Sequence, residues 1–350
     1  MINWQAMFVT AGGMRIDYLI THAGEARVEM VGGNGLYAAV GAALWDVPVN
    51  VWACIGSNYP QAWLNKLPAQ QIGIEGLIRL PTPQDHRTFF AYLPDGRRDD
   101  TNPAAHFARI GQPLPAALQD YIHSTPGQDD PHNYEPLALR PADWPEQWRS
   151  VTATSASATA LNRSVQAVHL SPLALATHLH VPPRLRQLGV PQITLDPGER
   201  YMIPERRELI KQILPQVDVF LPSAMEIRSL FGTEANLEEA AVTLTKWGAR
   251  WVVVKNGAKG VLLVNGRTQS ITHFPAYHTT NDARITDVTG AGDSFCGGFM
   301  VGLAQTGKPA QAVAYGLVAA SLVIEGYGAL YALSRKSEAG TRLEKVKRDA

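Results

Sequence analysis

Apolar, strand-like runs alternate with amphipathic stretches of helical period along most of this chain. VNVWACIG (49–56), AVHLSPL (167–173), PQITLD (191–196), VDVFLPS (217–223) and RWVVVKN (250–256) are the strand-like runs. Strand-helix alternation of this kind predicts a mostly parallel sheet with crossover helices on both faces. In such sheets ligands sit beyond the C-terminal ends of the strands. Asp196, Ser223, Glu226, Asn256 and Gly257 all fall just after a strand-like run.

Two regions break the rhythm. From Gly13 to Val31, MRIDYLI and ARVEMV alternate apolar and polar positions around a His-Ala-Gly-Glu turn. From about 86 to 101, TFFAYL and RRDD flank Pro94-Asp95-Gly96. Both read as hairpins, and together they predict a small separate sheet. Residues from about 111 to 160 are rich in Pro, Ser, Thr and Asp with weak periodicity, and read as a surface excursion with one or two short helices. The 350 residues, 45% of them hydrophobic, suit one large α/β domain spanning 1–350.

The densest chemistry lies in DVTGAGDSFCGG, Asp287 to Gly298. Gly290 and Gly292 let successive N–H groups point at one spot, and the first turn of the helix that follows adds unsatisfied donors and a positive dipole end. That is an anion site formed by Gly290, Ala291, Gly292 and Asp293. A carboxylate at its mouth would repel the anion unless it serves the reaction. The functional reading makes Asp293 a general base for an attacking hydroxyl, and the plain alternative makes it a helix N-cap.

This segment resembles the second signature of the ribokinase-like (PfkB) family of carbohydrate kinases, D-x-T-G-A-G-D-x-F. Further family patterns recur in order: Gly13 and Asp17 in VTAGGMRIDYLI; the Gly-Gly pair opening GGNGLYAAVGAAL (32–44); Asp196, Pro197 and Arg200 in ITLDPGER; and Lys255, Gly257 and Gly260 in VVVKNGAKGVLLV. The resemblance implies a three-layer α/β/α fold with a mostly parallel central sheet and a small β-sheet lid over the acceptor site, a lid that often supports a homodimer. It implies ATP-dependent phosphorylation of a hydroxyl on a small sugar or sugar-like compound, with Mg2+ as bridge. Asp293 would be the base, and Asp17, Gly33 and Asn34 would meet the acceptor. Ser223, Glu226, Lys255, Gly257 and Gly260 would serve ATP, with Glu226 reaching Mg2+ through water. Asp287 would lie at a monovalent cation site, with K+ as the candidate, or simply shape the loop. Arg200 would reach a phosphate or a surface carboxylate.

Two positions depart from the family pattern. Ser223 stands where the family has Asn in Asn-x-x-Glu, and Tyr37 stands where an Asn is frequent in the first signature. A nucleoside kinase, with Tyr37 stacking on a base, is therefore an alternative reading. A ligand-binding member of the fold without turnover, motivated by Ser223, is another.

Composition narrows the partners. Lys plus Arg and Asp plus Glu balance at 31 each, which predicts neither nucleic-acid nor membrane binding. Cys54 and Cys296 are far apart in sequence and read as buried hydrophobes, which fits a reducing cytoplasm. The stretch MINWQAMFVTAGG lacks a basic flank and a long apolar core, so no secretory signal is expected. His178 and His180 have no acidic or thiol ligand spaced to complete a zinc site. GNGLYA (33–38) fits a G-x-G-x-x-A dinucleotide fingerprint, but the next strand runs into Ser57 and Asn58 where an acidic residue is expected. No Walker sequence is present, which excludes a P-loop kinase by pattern.

Overall fold

The computed structural model describes residues 7–93, 98–122 and 165–349. The Pro94-Asp95-Gly96 turn and most of the 111–160 excursion lie outside the described residues.

The main sheet runs in the order β14-β13-β12-β11-β10-β9-β1-β4-β5, with β6 also on β4. Its strands are β1 (Met7–Ala11), β4 (Val49–Ile55), β5 (Ile72–Gly73), β6 (Leu77–Arg79), β9 (Val165–Leu170), β10 (Ile193–Leu195), β11 (Val219–Phe220), β12 (Trp251–Lys255), β13 (Val261–Asn265) and β14 (Ile271–Phe274). Pairing is parallel from β5 across to β12 and antiparallel for β12-β13 and β13-β14. The turn from Lys255 to Val261 is too short for a crossover helix, so β13 must return antiparallel.

The unbroken apolar runs are explained by burial on both faces. In β4, Val49, Val51, Ala53 and Ile55 enter one core cluster while Trp52 and Cys54 enter the other. In β12, Val252 and Val254 face one cluster and Val253 the opposite one. One helical layer holds α1 (Asn34–Ala43), α8 (Ala291–Thr306), α9 (Pro309–Val323) and α10 (Ala339–Asp349). The other holds α4 (Leu175–Gln187), α5 (Arg207–Ile213), α6 (Ala224–Phe231) and α7 (Leu237–Lys246). Two short helices, α2 (Gln61–Leu64) and α3 (Pro103–Arg109), lie outside these layers. From β1 the chain goes one way to β4 and later the other way through β9, so the switch point of the sheet lies at β1 and β9.

The second sheet has the order β3-β2-β7-β8, from β2 (Arg15–Ile20), β3 (Ala26–Gly32), β7 (Arg87–Tyr92) and β8 (Arg98–Asp99). Both hairpin pairs are antiparallel, and β2 joins β7 in parallel. The dinucleotide fingerprint loses its context here: β3, the strand before Gly33, belongs to this small sheet, paired antiparallel to β2, and not to a parallel β-α-β unit. Cys54 and Cys296 are buried and share no disulfide. No helix among the described residues is long and apolar enough to cross a membrane.

Candidate active site

The helix α8 begins without a side-chain cap, on Gly290 at φ 74°. Its first intrahelical bond is Ser294 N–H to Gly290 O at 2.9 Å, so Gly292 and Asp293 precede the helix's regular bonding. Glycine is required at 290 twice over: the positive φ disfavours a side chain, and a Cβ there would overlap the Tyr37 ring. Asp287 Oδ1 accepts the Thr289 N–H at 3.0 Å and the Thr289 hydroxyl at 2.7 Å, which fixes the entry to the loop. Burial raises the Asp287 carboxyl above its ordinary range.

Asp293 stands in the first turn of α8, partly reached by solvent. Burial, followed by the charge of Asp196, pushes its carboxyl up to about 6, against the opposing charges of Lys255 and Arg98. Lys255, at the end of β12, turns inward to form an ion pair with Asp196 and lies 3.6 Å from Cys296 Sγ. Its ammonium is also 3.6 Å from where a Cβ on Gly292 would stand, so it supplies positive charge directly beside the loop. Only 12% of its side chain is exposed, and the Asp196 charge holds it firmly protonated despite the desolvation. Asp196 was legible as a residue following a strand. Its partnership with Lys255, 59 residues away, was not.

Ser223 caps α6. Its hydroxyl accepts the Glu226 N–H at 3.2 Å while Glu226 Oε2 accepts the Ser223 N–H at 2.6 Å, a complete capping box. The shorter residue at 223 thus retains a defined local task. Burial and the charge of Asp196 raise Glu226 to about 7. The Gly257–Lys259 turn and Gly260 join β12 to β13, and Gly260 packs against the chain at Phe274–Ala276 while Gly257 faces open space. A small cavity adjoins this junction, lined by Pro275, Ala276, Tyr277 and Lys345 among others.

On the side of the small sheet, Asp17 in β2 is 1% exposed. The Gly33 N–H bonds its carboxylate, and Oδ2 has no hydrogen-bond partner among the described residues. Burial, then the charge of Asp287, push Asp17 up to about 8. Gly33 is the N-cap of α1. Asn34 is committed to the backbone at both ends, its Oδ1 accepting from Gly13 N–H at 2.6 Å and its Nδ2 donating to Pro172 O at 2.6 Å. The Tyr37 ring is 2% exposed and lies on Gly290, so its face is not open for stacking on a base. Its hydroxyl is buried without a partner among the described residues. Desolvation, followed by the charges of Asp17 and Asp287, raises it well above the ordinary phenol range.

The small sheet adds two groups that the sequence patterns did not single out. The Tyr92 hydroxyl is 2.8 Å from Thr289 Oγ1, and Arg98 pairs with Asp100 at 2.7 Å while its charge reaches Asp293. Nothing in the local sequence marks Tyr92, whose partner comes from the far end of the chain, and the neighbouring Asp100 does not mark the reach of Arg98 to Asp293. Among the described residues no group of three or more His, Cys, Asp or Glu side chains is arranged to hold a metal ion directly.

Comparison with known proteins agrees with the fold. A sequence profile described as "pfkB family carbohydrate kinase" matches residues 165–336. The chain is 27% identical over 321 residues to a cytidine kinase of Thermococcus kodakarensis, covering 91% of this chain and 96% of that one. The structure of Arabidopsis thaliana ribokinase complexed with ribose and ATP superposes with a TM-score of 0.66 at 17% identity, covering 97% of this chain and 99% of the other. A Methanocaldococcus jannaschii nucleoside kinase superposes with a TM-score of 0.64 at 15% identity, covering 97% and 98%. The chain thus carries the pfkB family profile over residues 165–336 and the ribokinase fold over nearly its whole length.

Proposed function

We propose that the protein transfers the terminal phosphoryl group of ATP to a hydroxyl of a small sugar or sugar-like acceptor, with Asp293 as the general base. The observation that carries this reading is a carboxylate raised to about 6 at the opening of an uncapped helix that can receive a phosphoryl group. Asp293 takes the hydroxyl proton as the acceptor oxygen forms its bond to phosphorus, and the bond from phosphorus to the leaving ADP oxygen breaks. The N–H groups of Gly292 and Asp293, with the Lys255 ammonium beside them, receive the charge that develops on the phosphoryl oxygens, while the Ala291 N–H is engaged with Val288 O at 3.3 Å.

The charge balance of the site supports a metal carried with the nucleotide. Asp17, Asp196, Glu226, Asp287 and Asp293 act on one another's charge around this recess, and Lys255, Arg98 and Arg15 oppose them. Mg2+ would neutralise phosphate charge here, and it ordinarily keeps water and phosphate ligands without an all-protein cage. Glu226 would meet such an ion through water, its Oε2 being engaged with Ser223 N–H. Gly257 and Gly260 would border the nucleotide, with its base in the cavity at Pro275–Tyr277. Asp17, through its unoccupied Oδ2, would exchange a hydrogen bond with an acceptor hydroxyl beside Gly33, donating while the carboxyl is protonated and accepting once it is ionised.

A nucleoside acceptor is the second reading, favoured by the likeness to a cytidine kinase along 91% of the chain. The buried Tyr37 ring offers it no stacking surface, so a base would have to be held elsewhere. Mg2+-dependent ADP release measured with D-ribose, D-fructose, cytidine and adenosine separates the two. Release with the free sugars alone supports the first reading, and preference for the nucleosides supports the second. Absence of acceptor-dependent release throughout an extended panel would favour a binding protein without turnover.

A further inference from the structure

Tyr92 ends β7, and its hydroxyl meets Thr289 Oγ1 at 2.8 Å, joining residues 197 positions apart. Thr289 Oγ1 is in turn 2.7 Å from Asp287 Oδ1, the oxygen that also accepts the Thr289 N–H. An ionised carboxylate only accepts, so the single Thr289 hydroxyl proton goes to Asp287, and Tyr92 must donate to Thr289. The result is a directed chain from the small sheet to the loop, Tyr92 O–H to Thr289 O–H to the Asp287 carboxylate. In a buried setting each such bond strengthens the next. Thr289 is only 9% exposed and immediately precedes Gly290, so the chain ends at the turn that leads to the open amides of Gly292 and Asp293.

The register of the small sheet shows where this contact acts. In the parallel β2-β7 pair, Asp17 stands opposite Thr88 and Ile20 opposite Ala91. Tyr92 is four residues beyond Thr88, which at about 3.3 Å per residue places it roughly 13 Å along the strand from the level of Asp17. The sheet is therefore secured to the main body at its root, where Gly33 N–H bonds Asp17, and again near its far end by the Tyr92 hydroxyl. Tyr327 also touches that far end, its hydroxyl 3.5 Å from Glu25 Oε2 and its ring 4.3 Å from the Arg27 guanidinium, but on the β3 side. Loss of the Tyr92 attachment would loosen the β7 side of the sheet and, with it, the orientation of Thr289.

We propose that Tyr92 is a positioning residue for phosphoryl transfer: its hydroxyl fastens the small sheet to Thr289 and thereby fixes the Gly290–Asp293 loop in its reactive geometry. The kinetic part of this inference rests on the transfer reading above, and its structural part does not. Tyr92→Phe removes the hydroxyl while retaining the ring. Expected of it is a fall in kcat of ~10-fold with the KM for ATP within ~2-fold, the pattern of a misaligned reaction without lost nucleotide binding. The share of ATP hydrolysed without acceptor rises several-fold as water reaches the site.

Two further measurements complete the test. Hydrogen exchange of the ligand-free protein should show faster exchange in Tyr92→Phe at the 290–293 amides as well as along β7. A double-mutant cycle with Thr289→Val should be non-additive, the double variant exchanging and turning over no differently from Thr289→Val alone. A Tyr92→Phe protein that melts earlier yet keeps wild-type exchange at 290–293 and wild-type partition between transfer and hydrolysis would overturn the inference, as would an additive cycle. Should wild type release no ADP with any sugar or nucleoside tried, the transfer reading falls, while exchange at 290–293 still decides whether Tyr92 holds the loop.

Discussion

The Tyr37 hydroxyl is buried without a partner among the described residues, a state that typically costs about 1–3 kcal/mol. Tyr37→Phe removes the hydroxyl and retains the ring on Gly290, so the ligand-free variant should be at least as stable as wild type, by up to ~1 kcal/mol in denaturant unfolding. A clear loss of stability would mean that the hydroxyl has a partner. Asp17 makes a pH prediction. Its carboxyl is held protonated up to about 8 in the folded chain against an ordinary 3.8, so the unfolded chain ionises first as pH rises. Stability conferred by this group is complete below the ordinary value and declines between there and about pH 8. Asp17→Asn should flatten that decline in thermal unfolding followed across pH 4 to 8, and an unchanged slope would refute the assignment. At this scale the signature motif made the helix start at Gly290 and the place of Asp293 in its first turn legible, because the backbone chemistry of a glycine loop is local. The inward turn of Lys255 to Asp196 and the backbone duties of Asn34 were not legible, since their partners are 59 and 138 residues away.

Among the elements, the contact that most directly supports the loop is α1 on α8. A Cβ on Gly41 would run into the Ser294 backbone, and one on Gly297 into the Ala38 backbone, so the two helices approach through bare backbone. Gly297→Ala should force them apart and destabilise the fold by about 1–3 kcal/mol. Because Tyr37 lies on α1 and bears on Gly290 at the start of α8, the same change should also lower turnover disproportionately to any change in the KM for ATP. Full activity in a destabilised Gly297→Ala protein would show that the helix spacing does not govern the loop. Both hairpins and the parallel strands followed from hydrophobic alternation and turn composition. The antiparallel return of β13 and β14 did not, because an apolar strand carries no mark of its direction; only the short Lys255–Val261 connection sets it.

For the molecule as a whole, the two sheets bring together residues from near both ends of the chain. Asp17, Asn34 and Tyr37 come from the first strands and helix, Asp196 and Glu226 from the middle, and Lys255 and Asp293 from the last third. Their convergence follows from parallel strands ending on one side of a sheet whose order reverses at β1 and β9. The account also carries a pH dependence: Asp293 acts as a base only when ionised, so turnover should rise with pH through about 6, the value to which burial and Asp196 bring it. A turnover that falls with rising pH across that range would contradict the assigned role. The most direct test of the central claim is Mg2+-dependent ADP release by Asp293→Asn beside wild type, using whichever acceptor wild type phosphorylates, with ATP affinity measured in parallel. A loss of turnover of ~10² or more with ATP affinity little changed is the predicted result, in line with removal of a positioned base. Equal turnover in the two proteins would contradict it.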